Sequence, residues 1–166
     1  MKYISTRNNE KEYSFGEVFL KGLADDGGLY VPKSLKKYNS QELSKLKNLN
    51  YNEISTEIIN QFSSDFISKK ELSYLIKKSY SKFREKEVVK ISNVGETKLL
   101  ELFHGPTLAF KDVAMQFIGN LYEYYLIKND KKINIVVATS GDTGACLLYT
   151  SPSPRDLSTS RMPSSA

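Results

Sequence analysis

"ELFHGPTLAFKDVAMQFIGNL", residues 101–121, joins two kinds of apolar pattern at a single turn. The run that leads into it, 97–103, is short and nearly continuous, which is typical of a strand. His104-Gly105-Pro106 ends that strand, because proline has no amide hydrogen to donate to a sheet. Apolar residues then recur at helical spacing, so the sequence predicts a helix over 110–127. Lys111 stands at the start of this helix among apolar neighbours, whereas most lysines of the chain have polar ones.

A second strand and turn follow the helix. "INIVVATS", residues 133–140, is rich in Ile and Val, which predicts a buried strand. It leads directly into "SGDTG", residues 140–144. Strand, helix, strand and Gly-rich turn are typical of a βαβ unit in a parallel sheet. Both turns therefore follow the carboxyl ends of strands, where open α/β sheets bind ligands.

The first half of the chain has a different, mainly helical pattern. Helices are predicted at 14–23, 40–48, 51–62 and 68–84, and a short strand at 1–7. Ser14 with Glu17, and Ser68 with Glu71, have the spacing of a capping box. We therefore expect a helical domain over 1–86, followed by the start of an α/β domain over 87–144.

The end of the chain does not continue this pattern. "ACLLYTSPSPRDLSTSRMPSSA", residues 145–166, holds three of the five prolines. Pro152 and Pro154 would each cost a helix interior about 3 kcal/mol or more. The segment also resembles translated sequencing-adapter DNA. We expect 145–166 to be a disordered, non-native tail and the chain to be a truncated piece of a larger protein.

Composition excludes several classes of function. The chain has 166 residues, of which 40% are hydrophobic, enough for a core. The net charge is +5, but the lysines alternate with acidic and neutral polar residues, which argues against a nucleic-acid surface. No apolar run is long enough to span a membrane, and the first 15 residues do not predict a signal peptide. One cysteine excludes an internal disulfide and fits the cytoplasm, and one histidine leaves a metal site unsupported.

Lys111 has two interpretations. Apolar neighbours such as Leu108 and Phe110 disfavour the ammonium form of a lysine, and a neutral amine can react with the aldehyde of a cofactor or substrate. Alternatively, Lys111 is a surface lysine at a helix start, paired with Asp112. Local sequence leaves both open.

The SGDTG turn predicts an anion site. Two glycines flank Asp-Thr directly after a strand, so backbone amides at a helix start would be exposed to a carboxylate or phosphate. The hydroxyls of Thr139, Ser140 and Thr143 would add donors. A tight strand-to-helix turn without a ligand is the alternative.

His104 is interpreted as a turn residue whose ring packs or hydrogen-bonds near the site, with a catalytic part left open. Asp25 and Asp26 have the form of an acid pair, but the Gly-Gly that follows them favours a turn instead.

Three blocks in order resemble the threonine synthase family, whose members use pyridoxal 5'-phosphate and have the tryptophan-synthase-β-like fold. The blocks are "STR" with "GLADDGGLYVP", then "ELFHGPTLAFKDVAMQFIGNL", then "VVATSGDTG", and the resemblance covers residues 1 to about 144. It implies the N-terminal part of a fold type II α/β enzyme: a helical segment followed by a parallel βαβ unit. It also implies the reaction, in which O-phospho-L-homoserine and water give L-threonine and phosphate.

The resemblance also implies roles for particular residues. Lys111 would carry the cofactor covalently and move protons at the substrate carbons, with Phe110 beside the cofactor. Asp142 would lie near the 3′-oxygen of the cofactor. The substrate carboxylate would be bound by the SGDTG turn, which consists of Ser140, Gly141, Asp142, Thr143 and Gly144.

The chain departs from the family in its length, since the loop for the cofactor phosphate and the group facing the pyridine nitrogen are missing. We therefore expect the 166-residue chain alone to be inactive and its incomplete sheet to expose an edge. Other interpretations remain: a phospholyase acting on another phospho-amino acid, a non-catalytic anion-binding module, and a fragment that does not fold. The oligomeric state is not predicted.

Overall fold

A computed structural model describes residues 1–150, which form six helices and four short strands. In chain order they are β1 (Tyr3–Ser5), α1 (Phe15–Lys21), β2 (Tyr30–Pro32), α2 (Ser40–Leu46), α3 (Tyr51–Ser63), α4 (Lys69–Tyr80), β3 (Lys90–Val94), β4 (Thr97–Glu101), α5 (Asp112–Lys128) and α6 (Asp142–Thr150). Each helix predicted in the first half is present, with ends shifted by a few residues.

The chain divides into two compact units, Met1–Ile76 and the part from Lys77 onward. The boundary between the two units falls within α4, so the first part of that helix belongs to the first unit and its last turn to the second. The domain limit expected at 86/87 stays a prediction.

The Asp-Asp-Gly-Gly segment of the first unit is a turn between α1 and β2. The strands β1 and β2 pair antiparallel. The Asp26 carboxylate closes the turn by accepting hydrogen bonds from the Ser5 hydroxyl and the Gly28 amide, both at 2.8 Å. Asp25 instead forms an ion pair with Lys21. The preference for turn chemistry over an acid pair is confirmed.

Helix starts in the first unit follow the capping pattern of the sequence. Ser14 accepts from the Glu17 amide, and the Glu17 carboxylate accepts from the Ser14 amide. Ser68 and Glu71 exchange the same pair of hydrogen bonds. Both predicted capping boxes are confirmed. Two further boxes, Asn39 with Glu42 and Asn50 with Glu53, begin α2 and α3.

The second unit contains the β3–β4 hairpin and the helices α5 and α6. The hairpin is antiparallel, with Ile91 opposite Leu100. Both of these side chains are largely exposed. Helix α5 confirms the helix predicted over 110–127, and the Tyr80 hydroxyl fixes its start by donating to the Val113 carbonyl at 2.8 Å. Helices α5 and α6 pack against one another.

The strand predicted at 133–140 is not formed within residues 1–150. The segment has no ladder partner there, and Val136 is 94% exposed. A strand exists only through hydrogen bonds to a neighbour, and no described strand pairs with this segment. The parallel pairing of the predicted βαβ unit is therefore absent from the described part, although its helix and both turns are present.

The predicted disordered tail, 145–166, begins too early. Helix α6 continues through Thr150, and Cys146 within it is fully buried. The residues from Ala145 to Leu148 favour a helix, and the prolines that disfavour one come only later. Residues 151–166 lie outside the described part of the chain.

Two absences hold for the described residues 1–150. No helix there has the length and apolar character needed to cross a membrane. No group of three or more His, Cys, Asp or Glu side chains there is placed to hold a metal ion.

Tyr3 makes the stability of the first unit sensitive to alkaline pH. Its side chain is buried in a small cluster with Tyr13 and Val18, and its hydroxyl donates to the Phe62 carbonyl at 3.0 Å. Burial, and then the nearby charge of Asp65, raise the pKa of Tyr3 from 10.0 to about 12. The folded state thus keeps the proton to higher pH than the unfolded chain. The resulting stabilisation is fully present below pH 10 and is lost as the pH rises through about 12.

We expect Tyr3→Phe to flatten the fall in unfolding free energy above about pH 10. At neutral pH the variant should lose about 1 kcal/mol, the typical worth of one hydrogen bond. Urea unfolding of both proteins across the alkaline range measures the two slopes. Tyr74→Phe is the matched control, because Tyr74 is 67% exposed. Equal slopes for wild type and Tyr3→Phe would contradict the prediction.

Candidate active site

Lys111 occupies the N-cap of α5 and projects toward α6. Its backbone is already helical, with φ −62° and ψ −24°. Its side chain is 30% exposed, and its Nζ lies 5.7 Å from the centre of the Phe110 ring. The ion-pair partner of Lys111 is Asp142, with 3.6 Å between Nζ and Oδ2. The pairing with Asp112 that the sequence left open is not formed.

The pair of Lys111 and Asp142 is a weak surface contact. The Asp142 side chain is 62% exposed, so water screens both charges. Exposed pairs of this kind contribute roughly 0–1 kcal/mol. The lysine amine can therefore exchange this partner for another at little cost.

The SGDTG turn presents the start of α6 to solvent. Ser140, Gly141 and Asp142 are exposed, and Thr143 and Gly144 are half-buried. The first helical hydrogen bond runs from the Ala145 amide to the Gly141 carbonyl, so the amides of 142–144 have no helical acceptor. Backbone amides in this position are suited to an anion, and the anion site itself stays a prediction.

Two glycines of the turn are required for different reasons. Gly141 has φ +132°, a conformation that other residues rarely adopt. A Cβ at Gly144 would lie 2.8 Å from the Thr139 methyl group. The Thr139 hydroxyl, which the sequence suggested as a ligand donor, instead accepts from the Gly141 amide at 3.4 Å.

His104 holds the end of the hairpin and does not contact Lys111. Its Nε2 lies 2.7 Å from a carboxylate oxygen of Glu101, and its ring packs on Phe103. The Ser92 hydroxyl, and then His104, lower the pKa of the Glu101 carboxyl by hydrogen bonding to it. The expectation that the ring packs and hydrogen-bonds is confirmed, whereas a catalytic part for His104 stays a prediction.

Sequence reasoning missed the polar cluster beneath Lys111. Asp112 has no exposed surface, and its Oδ2 accepts from the Thr107 amide at 2.8 Å and from the Thr107 hydroxyl at 2.9 Å. Its Oδ1 accepts from the side-chain amide Nε2 of Gln116 at 3.2 Å. The Thr107 hydroxyl also lies 3.1 Å from the Cys146 sulfur of α6. The sequence signal for this cluster was Asp112 itself, an acidic residue in the first turn of an apolar helix and five residues after Thr107.

The chain is similar to known proteins along most of its length. A family model described as the threonine synthase N terminus matches residues 2–80. Threonine synthase of Schizosaccharomyces pombe is 40% identical over 168 aligned residues, which cover 95% of this chain and 33% of the relative.

Two solved structures are similar in three dimensions. They are PLP-bound threonine synthase from Brucella melitensis, with a TM-score of 0.85 and 36% identity, and threonine synthase from yeast, with a TM-score of 0.84 and 39% identity. Each match covers 90% of this chain and 32% of the solved one. The chain thus spans about a third of the length of the relatives it matches.

The fold and the two facing helix starts define the N-terminal part of a tryptophan-synthase-β-like, fold type II α/β enzyme, which confirms the predicted fold class. Within that class the chain belongs to the threonine synthase family and corresponds to the N-terminal portion of its members.

Two substitutions should distinguish the weak Lys111–Asp142 ion pair from the stronger hydrogen bonds between Thr107 and Asp112. We expect Asp142→Asn to change the free energy of unfolding by less than about 0.5 kcal/mol, because the pair is exposed. Thr107→Val keeps the shape but removes one donor from a buried carboxylate, so it should cost about 1–3 kcal/mol. Urea unfolding measures both variants. A larger loss for Asp142→Asn than for Thr107→Val would mean that the Lys111 pair is a structural one.

Proposed function

We propose that this chain forms the N-terminal part of a pyridoxal-phosphate-dependent threonine synthase, a carbon–oxygen lyase acting on phosphates, with Lys111 as the residue that carries the cofactor. The reaction would convert O-phospho-L-homoserine and water into L-threonine and phosphate. The observation that carries this proposal is the accessible Lys111 amine, held 3.6 Å from a side chain in the first turn of α6.

The residues around Lys111 fit pyridoxal phosphate. A primary amine is the group that an aldehyde requires. The Phe110 ring is 60% exposed beside it and offers an apolar face to a flat aromatic ring. When bound, pyridoxal phosphate would supply an electron sink for the reacting carbons of the substrate.

The backbone amides and the side chains of the SGDTG turn would have different roles. The amides of 142–144 would bind the substrate carboxylate. The Asp142 carboxylate would repel a second anion, but it is turned toward Lys111. We assign it to the cationic side of the site, near the 3′-oxygen of the cofactor. Ser140 and Thr143 would add hydroxyl donors to the bound carboxylate.

Lys111 would serve as the proton carrier of the site. An amine at a helix start, whose ion-pair partner is exposed, can deliver a proton to one carbon and take one from another. The net charge of +5 suits a substrate that bears both a carboxylate and a phosphate. Groups for the cofactor phosphate and for the pyridine nitrogen are assigned to the longer part that the relatives possess.

We place the function in the cytoplasm, because one cysteine in 166 residues fits a reducing compartment. The partner is a small-molecule substrate, and neither nucleic acid nor a membrane is proposed as a partner. No oligomeric state is assigned.

We expect pyridoxal phosphate to react with Lys111 in preference to other lysines. The chain is incubated with a limited amount of cofactor, reduced with borohydride and digested, and the labelled peptides are quantified by mass spectrometry. The Lys111 peptide should carry more label than the Lys128 peptide by a factor on the order of ten. Lys111→Arg should abolish that label, whereas the control Lys128→Arg at the other end of α5 should leave it unchanged. Labelling in proportion to exposure would favour the anion-binding module instead.

We also expect the 166-residue chain alone to release no measurable phosphate from O-phospho-L-homoserine, because catalysis needs a complete cofactor site. Phosphate release is followed with a colorimetric assay, with and without pyridoxal phosphate. Release that Lys111→Arg abolishes would show that the chain is catalytically complete. Analysis of the product would then separate the proposed synthase, which gives threonine, from a phospholyase, which gives a keto acid and ammonia.

A further inference from the structure

Asp112 is the one fully buried carboxylate within residues 1–150. Burying a charged group costs several kcal/mol unless hydrogen bonds replace the lost water. Here three hydrogen bonds do so, two from Thr107 and one from Gln116, which is itself 4% exposed. An apolar side chain would fill the same space without that cost, so the retained carboxylate calls for an explanation beyond packing.

The loop that Asp112 closes is tight and strained. Leu108 has φ +62°, a left-handed conformation that is unfavourable for a bulky residue. Gly105 packs directly on Asp112, and a Cβ at that position would lie 2.7 Å from the Asp112 Cγ. Such a loop persists only where surrounding contacts over-determine it. The two bonds from Thr107 to the Asp112 carboxylate tie the middle of the loop to the start of α5.

The closed loop determines where the lysine amine lies. Successive residues of a helix point about 100° apart, so fixing Asp112 toward the interior turns Lys111 outward. That direction is the one seen, since the Lys111 side chain is 30% exposed and reaches Asp142. Lys111 makes no side-chain capping hydrogen bond, and the tie from the Tyr80 hydroxyl to the Val113 carbonyl holds the helix two residues further on, not the loop.

We propose that Asp112 is the positioning residue of the site, and that its hydrogen bonds to Thr107 close the 105–111 loop and aim the Lys111 amine at the start of α6. The inference rests on the proposed function only in naming the reaction for which the Lys111 amine is positioned. The closure of the loop is a property of the chain itself.

Asp112→Ala and Asp112→Asn separate positioning from charge. Alanine removes every acceptor. Asparagine keeps an oxygen for both Thr107 donors. Its side-chain NH2 group can donate to the Gln116 side-chain oxygen once the Gln116 side-chain amide flips. Leu121→Ala is the control for stability alone, because Leu121 is 1% exposed on the same helix and lies away from the loop. Circular dichroism and thermal unfolding establish that each variant is folded at the temperature used.

Two readouts follow each variant. Amide hydrogen exchange over residues 107–113 reports closure of the loop, and borohydride trapping with pyridoxal phosphate reports the labelling ratio of Lys111 to Lys128. We expect Asp112→Ala to speed exchange in the loop and to lower the labelling ratio at least fivefold, on the scale of a lost orienting contact. Asp112→Asn should keep both values close to those of wild type. Leu121→Ala should raise exchange throughout the unit but keep the ratio.

The outcomes are distinguishable. Wild-type protein without preference for Lys111 would defeat the proposed function, while the exchange rates would still decide whether Asp112 closes the loop. Unchanged loop exchange in Asp112→Ala would overturn the inference. A labelling ratio that falls as far in Leu121→Ala as in Asp112→Ala would also overturn it. So would a ratio in Asp112→Asn that is as low as in Asp112→Ala. If Asp112→Ala does not fold, Thr107→Val takes its place with the same expected direction in both readouts.

Discussion

The hydrogen bonds between the Asp112 carboxylate and Thr107 fix the rest of the second unit's candidate site. They join the loop that follows β4 to the first turn of α5. A side chain at position 105 of this loop would have no room, because Gly105 packs on Asp112. They also set the rotation of the helix at the point where Lys111 leaves it. The site therefore has a stiff base beneath an amine with a weakly held partner.

This combination suits a residue that must change partners. A lysine in a buried, geometrically ideal ion pair would be hard to release, because its partner would be left as a buried charge. The exposed Asp142 imposes no such penalty. The adjacent amides of α6 meet a different need, since they offer fixed donors whose direction is set by the helix itself. A weakly paired side chain and fixed backbone donors thus lie side by side, each supplied by a helix start.

The sequence predicted what depends on local interactions and missed what depends on distant ones. The boxes of Ser14 and Ser68, helix α5 and the glycine turn at Gly141 follow from patterns of a few residues, and the structure has them all. The segment 133–140 has the composition of a buried strand, but a strand needs a partner, and composition cannot supply one. The sequence suggested Asp112 only as a possible partner of Lys111, because its Thr107 donors come from a loop whose conformation, including the left-handed Leu108, no pattern predicts. The sequence predicted a helix start at Lys111 and another at SGDTG, whereas the 3.6 Å contact between Lys111 and Asp142 depends on the packing of α5 on α6.

Lys111 and Asp112 are neighbours in the chain with different surroundings, because one is partly exposed and the other is fully enclosed. A deletion or insertion of one residue between Gly105 and Asp112 would turn the helix start by about 100° relative to the loop, since that is the rotation per residue. The amine would then face the interior, or the carboxylate would face water. The number of residues in this loop is consequently as restricted as their identity, and we expect length variation in this part of the molecule to be tolerated only at the exposed β3–β4 turn.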